Sequence, residues 1–207
     1  MNTVVEVTAQ KVSWSNWAGN QRVEHASRYL PKTELELQQI VRHANANNLR
    51  IKAVGSGHSF TAIALAEEIL VDLSHYDQVV EIDKIKNTVT VQSGIQLSKL
   101  NLELHKNGLA MQNLGDISYQ TIAGAISTST HGTGLKFTGI ANQVVGMRIV
   151  LADSSAVDCS REVNAELFHC ARVGLGALGL ISTVTLQLVS AFNLSVIEEP
   201  MRVDDVL

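Results

Sequence analysis

This sequence predicts an α+β chain of two packed subdomains: a small parallel α/β subdomain, then a mixed or antiparallel sheet flanked by helices. Three observations lead there. Strand, helix and strand patterns follow one another up to Leu73, the order of a small α/β unit. After Ser74 the texture changes to short β-type runs joined by hairpin-length connections. Across 207 residues, 45% are hydrophobic and 17% charged, enough for a real core and room for one large domain or two small ones. The break falls near residue 75. Residues 1–75 and 76–195 are then the two subdomains, with 196–207 the start of a further domain.

The elements follow from local chemistry. Thr33 and Glu36 have the spacing of a capping box, and Leu37, Ile40, Val41 and Ala44 recur on one helical face. Asn47-Asn48 ends that helix, since Asn tolerates the left-handed conformation used there. Arg50–Val54 and Ile69–Leu73 read as strands. Val79–Ile82 and Val89–Val91 form a hairpin across Asp83–Asn87. A helix carries Leu97, Leu100 and Leu104 on one face, with Gly108 beyond its end. Met147, Ile149 and Leu151 alternate as in a strand, and a turn at Asp153–Ser155 returns to a partner strand near Val157. Glu166–Val173 reads as helix and Ile181–Leu188 as strand. Pro200–Leu207 looks like a helix beginning, as in a fragment cut from a longer chain.

Composition excludes several function classes. A formal net charge of −4 and the lack of any Lys/Arg run argue against nucleic-acid binding. Cys159 and Cys170 match no zinc or redox spacing and read as buried or free thiols in a reducing compartment. Met1–Gln10 has no basic start followed by an apolar core, and no apolar stretch is long enough to span a membrane, so a cytoplasmic location is expected. The seven histidines include no His-x-x-x-His pair, and there is no Gly-x-Ser-x-Gly elbow, which removes zinc-dependent and serine-hydrolase readings.

Chemistry concentrates in two segments. Ala53-Val54-Gly55-Ser56-Gly57-His58-Ser59 follows a short apolar strand and carries two glycines, small hydroxyls and one imidazole. Glycines permit close backbone approach, and successive N–H groups in such a turn make an anion nest suited to phosphate. A Rossmann turn is the alternative, but Phe60 stands where the third glycine belongs, and Asp72 is only a loose match for the acidic residue. A strand–turn without ligand is the plainest reading. The second segment, Thr121–Gly134, is Gly, Ala, Ser or Thr except at Ile122, Ile126 and His131. Small residues would let backbone lie against a large planar or polyanionic ligand, with hydroxyls as donors; the plain alternative is a small-residue loop or a tightly packed buried helix.

Together these motifs resemble the vanillyl-alcohol-oxidase-type flavoproteins with their two-subdomain (PCMH-type) FAD-binding domain. Within that group the chain is most similar to the aldonolactone oxidases and dehydrogenases and the alditol oxidases. The resemblance rests on Asn16–Asn20, Val54–Ser59, Val71–Ser74, Asn113–Gly115, Thr128–Gly134 and Gly174–Gly179, and covers nearly the whole chain. It implies FAD lying between the subdomains. It also implies oxidation of a CH–OH group in a sugar lactone or polyol, with electrons passed to oxygen or to a carrier such as a quinone or cytochrome. The substrate-selecting cap would lie in a C-terminal domain outside these residues; otherwise the chain is an FAD-binding module needing a separate catalytic partner chain.

Site roles follow from the same resemblance. Ala53, Val54, Gly55, Ser56, Gly57, His58 and Ser59 would wrap the FAD pyrophosphate. His58 matches the histidine that, in many members, bonds covalently to the flavin 8α-methyl carbon; the lesser role is a hydrogen bond to phosphate. Thr121, Gly124, Thr128, Ser129, Thr130 and His131 match positions lining the flavin and its phosphates, and Ile181 one at the adenine end. Asp116 stands where relatives often carry Ser or Ala: it either binds a substrate hydroxyl or tunes flavin reduction near the reactive ring edge, or faces water as an ordinary loop carboxylate. Gly115 matches a position where a small residue lets oxygen approach.

Overall fold

The computed structural model describes residues 8–205. Most of the Met1–Gln10 segment, and the last two residues of the Pro200–Leu207 segment, lie outside the described residues. Strands β1 (Gln10–Ser15) and β2 (Arg22–Tyr29) form an antiparallel hairpin that the periodicity does not announce. The reason is local. His25 has a left-handed φ of 61°, the pairing slips between Val12 and Trp14, and the buried residues Val23, Ala26 and Tyr29 are three apart. A bulge therefore replaces strict alternation.

Helix α1 (Glu34–Ala46) starts where the capping pattern places it. Thr33 Oγ1 accepts from the Glu36 N–H at 3.2 Å, and the Glu36 carboxylate accepts from the Lys32 N–H at 2.6 Å, one residue earlier than an ideal box. Leu37, Ile40, Val41 and Ala44 are buried, and Asn48 takes φ 52° after the last turn. Strand β3 (Ile51–Val54) and β4 (Ile69–Asp72) complete a sheet of order β1-β2-β4-β3. Strands β2, β4 and β3 run parallel, and β1 adds an antiparallel edge.

The second sheet begins with β5 (Val79–Asp83) and β6 (Thr88–Gln92). The Asp83 carboxylate accepts from the N–H groups of Ile85 and Lys86, each at 2.9 Å, and so closes their turn. Helix α2 (Leu97–Lys106) buries Leu97, Leu100 and Leu104; Gly108 follows at φ 72° before the short β7 (Leu109–Ala110). Helix α3 (Ile122–Ser127) precedes β8 (Val144–Val150), β9 (Ala156–Ser160) and α4 (Ala165–Ala171). Strand β10 (Leu180–Gln187) enters between β6 and β8, giving the order β5-β6-β10-β8-β9 with every neighbour antiparallel. The short β11 (Val189–Ser190) pairs with β7. The segment from Pro200 carries a single 3-10 turn, Val203–Asp205, where the sequence suggests a helix start.

Two of the three apolar cores among the described residues hold these layers. The larger packs Phe168, Ile95, Leu100 and Ile122 around the second sheet. Another sits under α1 and takes in Val150 and Leu180 from the second sheet beside Leu37 and Ile40 of α1 and Val71 of the first sheet. Each such fully buried side chain contributes about 1.5–3 kcal/mol. A polar clasp reinforces the join. Glu34 accepts from Arg148 Nε at 2.7 Å, Arg148 Nη2 at 3.0 Å and Ser182 Oγ at 2.8 Å, while Tyr76 and Ser182 share a hydroxyl contact at 2.9 Å. Burial pushes the Glu34 carboxyl up, yet the hydrogen bonds from Arg148 and Ser182 and the Arg148 charge outweigh it and hold the group below its ordinary value. Burial also pushes the Tyr76 phenol up. Among the described residues, no helix is long and apolar enough to cross a membrane.

Candidate functional site

A cleft of about 320 Å³ lies between the two sheets. Three stretches far apart in sequence line it: Lys52 to Ser59, Gln120 to Thr128 and Leu175 to Ile181, though not every residue of the last two. Ile63, Ala64 and Leu73 fill the remaining wall.

The glycine loop leaves the C-terminal end of β3, where open α/β sheets place their ligand crevices. Gly55 presses against α3: a Cβ there would overlap Thr121 Oγ1. Gly57 holds a left-handed φ of 71°, and its would-be Cβ lies 3.2 Å from Trp14 and 3.4 Å from Asn16 Cα in the β1–β2 turn. The hydroxyl of Ser56 donates to the Tyr119 carbonyl. Among the described residues, the backbone N–H groups from Ser56 to Phe60 find no acceptor, so the loop presents donors without partners. The half-buried His58 lines the cleft with its ring centroid 5.7 Å from that of Trp17.

The small-residue segment turns out to be both a buried helix and a cleft wall. Thr121 caps α3, its Oγ1 accepting from the Gly124 N–H at 3.3 Å. Ile122, Ala125 and Ile126 face the core, while Thr121, Ala123, Gly124, Ser127 and Thr128 line the cleft. On the opposite wall Ile181 of β10 lines the cleft, and the next residue, Ser182, reaches the Glu34 clasp.

Of the residues expected from sequence, the cleft gathers Ala53 to Ser59, Thr121, Gly124, Thr128 and Ile181. Gly115, Asp116, Ser129, Thr130 and His131 are not among its lining. Of these, Gly115, Thr130 and His131 pack together. Asp116 is exposed, and a Cβ on Gly115 would come within 2.9 Å of Thr130 Cγ2 and 3.3 Å of the His131 carbonyl. His131 Nδ1 lies 2.8 Å from the Gly132 carbonyl. Gln120 connects the two groups: it lines the cleft and donates to Thr130 Oγ1 at 3.1 Å.

Sequence reasoning missed Lys52, Gln120 and the cleft-facing part of Gly174–Gly179. Lys52 carried a usable signal, since strand alternation sets it on the opposite face from Ile51 and Ala53. Its ammonium donates to the Leu175 carbonyl at 3.3 Å, joining the two lips of the cleft, and it carries the one formal charge among the lining residues. Leu175 and Gly176 take φ values of 53° and 68°, so this lip is a tight turn.

These features fit a ligand with an anionic linker and a large uncharged body. Gly55 brings backbone close, the loop N–H groups await acceptors, and the buried Gln120 Oε1 has no partner among the described residues. FAD has that make-up.

Comparison with known proteins agrees. A family model described as "FAD binding domain" matches residues 26–160. The chain is 38% identical over 196 residues to L-gulonolactone oxidase of Mus musculus, covering 95% of this chain and 44% of the oxidase. It is 39% identical over 181 residues to L-gulono-1,4-lactone dehydrogenase of Mycobacterium tuberculosis, covering 87% of this chain and 42% of the dehydrogenase. Among solved structures, a solvent-stable cholesterol oxidase superposes with a TM-score of 0.82 at 23% identity, over 91% of this chain and 39% of that one, a likeness of fold alone. The chain therefore spans less than half the length of the curated relatives it matches. With the glycine loop, the capped α3 and strands β3, β4, β5, β6, β8 and β9 inside the matched region, the chain belongs to the FAD binding domain family.

Proposed function

We propose that this chain is the FAD-binding part of an oxidoreductase that oxidises CH–OH groups of sugar lactones or polyols. The observation that carries the reading is the cleft between the sheets, walled by a glycine loop whose N–H groups lack acceptors, in a chain similar to lactone oxidases and dehydrogenases. When bound, FAD supplies the acceptor for a hydride from the substrate carbon and hands the electrons on to oxygen or another acceptor.

The protein's share is binding and orientation. Ala53 to Ser59 hold the pyrophosphate through backbone N–H groups, as a nest of amides holds an anion. Thr121, Gly124 and Thr128 to His131 border the flavin and its phosphates, and Ile181 borders the adenine end. Asp116 holds a substrate hydroxyl near the reactive edge, and Gly115 leaves that edge open to oxygen. The Gly115 packing supports a second reason for glycine there, because any side chain must displace Thr130 or the backbone at His131. Residues 1–75 and 76–195 act as the two subdomains about the cleft.

His58 is the attachment point for covalent flavin in this reading. His58 lines the cleft, and its ring lies tilted against that of Trp17 with centroids 5.7 Å apart. The experiment is an absorption spectrum of purified protein before and after acid precipitation. A yellow pellet that becomes colourless in His58→Ala supports covalent attachment. Yellow colour released to the supernatant reduces His58 to a non-covalent contact, and a folded protein that takes up no FAD sinks the proposal.

A further inference from the structure

The β1–β2 turn lines no part of the cleft, yet it is bonded to the glycine loop more densely than any cleft residue. Asn16 is 4% exposed and uses all of its polar atoms. Its Nδ2 donates to the Ser59 carbonyl at 2.9 Å and to Asn20 Oδ1 at 2.7 Å, and its Oδ1 accepts from the Gln21 N–H at 3.1 Å. The Trp17 N–H donates to the Gly57 carbonyl at 2.8 Å. Asn20 Nδ2 and Gln21 Nε2 donate to the Phe60 carbonyl at 3.0 and 3.3 Å. The carbonyls of Gly57, Ser59 and Phe60 are thus all tied to the turn.

In a planar trans peptide the next residue's N–H points opposite to the carbonyl. Fixing the Gly57 carbonyl toward the turn therefore aims the His58 N–H away from it, and fixing those of Ser59 and Phe60 does the same for Phe60 and Thr61. The cleft lies against Gly57, His58 and Ser59 and touches none of the turn residues, so the loop separates the turn from the ligand space. A carbonyl swung into that space would oppose a pyrophosphate; held back, the loop offers donors only.

We propose that Asn16 is a positioning residue of the cofactor site: through the β1–β2 turn it holds the loop carbonyls outward and so gives the glycine loop its polarity toward phosphate. The proposal rests on the FAD reading above. It predicts a defect confined to the phosphate-bearing part of the ligand.

The test uses a His58→Ala background, in which flavin stays exchangeable and the backbone N–H of residue 58 is kept; it titrates the chain with FAD, followed by flavin fluorescence, and then displaces FAD with ADP, which carries the pyrophosphate, or with adenosine, which does not. Asn16→Ala is expected to weaken FAD and ADP about tenfold, the scale of one to two lost hydrogen bonds, while adenosine changes less than about twofold. Asn107→Ala is the control. It removes a comparable side-chain bond, to the Glu103 carbonyl at 2.9 Å, far from the loop, and should lower thermal stability without changing the ratio of ADP to adenosine affinity. If Asn16→Ala does not fold, the exposed Asn20→Ala removes the bond to Phe60 and is judged by the same ratio. Equal weakening of ADP and adenosine, or unchanged ADP binding, in a chain whose wild type binds FAD overturns this proposal alone. A folded wild type that binds no FAD overturns the cofactor reading, and this proposal with it.

Discussion

Substituting Gly55 by Ala puts one methyl group between the glycine loop and the cap of α3. The φ of Gly55 is outside the left-handed region, so no backbone strain is added, and the extra Cβ meets Thr121 Oγ1 well inside van der Waals contact. Overpacking of this kind costs about 1–3 kcal/mol. Against it stands a gain of about 0.4–1 kcal/mol, because Ala restricts the unfolded chain. A net loss of about 1–2 kcal/mol is expected, which for a chain of this size lowers Tm by roughly 2–8 °C. Thr121→Ala alone should cost about 1 kcal/mol through the lost cap. Without Oγ1, the nearest atom left at Thr121 is Cβ at 3.5 Å, an ordinary contact. In that background the same Gly55→Ala change should be neutral or mildly stabilising. Urea unfolding of the four proteins in this cycle reads the sign directly. If Gly55→Ala costs the same with and without the Thr121 hydroxyl, the close approach of loop and cap is not what requires glycine at 55.

Two further outcomes follow from side chains around the cleft. Because the Glu34 carboxyl is held below its ordinary value, its contribution is complete above the unfolded-state value of about pH 4.3 and is lost as pH falls through the depressed folded value. The stability difference between wild type and Glu34→Gln should therefore be largest near neutral pH and shrink steadily in urea unfolding series taken toward about pH 3; a pH-independent difference refutes the clasp as an ionic one. Lys52→Met removes the charge that lines the cleft and its bond to Leu175, and should weaken FAD about three- to tenfold while flattening the salt dependence of binding. Fluorescence titration in the exchangeable His58→Ala background at two ionic strengths checks both parts, and unchanged affinity and salt dependence exclude a role for Lys52 in holding the ligand.

Much of the fold is written locally. Thr33, Leu37, Ile40, Val41, Ala44 and Asn48 mark α1 because capping, facial spacing and the left-handed stop each act over a turn or two. The β5–β6 hairpin and the β8–β9 turn are equally local. The β1–β2 hairpin is not, because the bulge at His25 replaces the two-residue period with buried positions three apart. The site divides in the same way. The glycine loop shows itself through residues that only a tight turn or a close ligand needs. Lys52 reaches the cleft because Leu175 stands opposite, a partner 123 positions away that no window along the chain reveals. Asn16 is harder still, since what it does depends on which way a distant carbonyl points.

The place of β10 has a consequence for how the molecule must be assembled. Among the described residues it is the last long strand in sequence, and it is the central strand of the second sheet, bonded to β6 on one side and β8 on the other. Until Leu180–Gln187 arrives, β6 and β8 each present an open edge, the feature that recruits foreign strands. Ile181 also brings the final wall of the cleft, so a growing chain has no complete ligand space before that strand inserts. Synthesis thus leaves a sticky, cofactor-incompetent intermediate whose lifetime is set by one long-range insertion. The same eight residues complete both the sheet and the wall of the cleft.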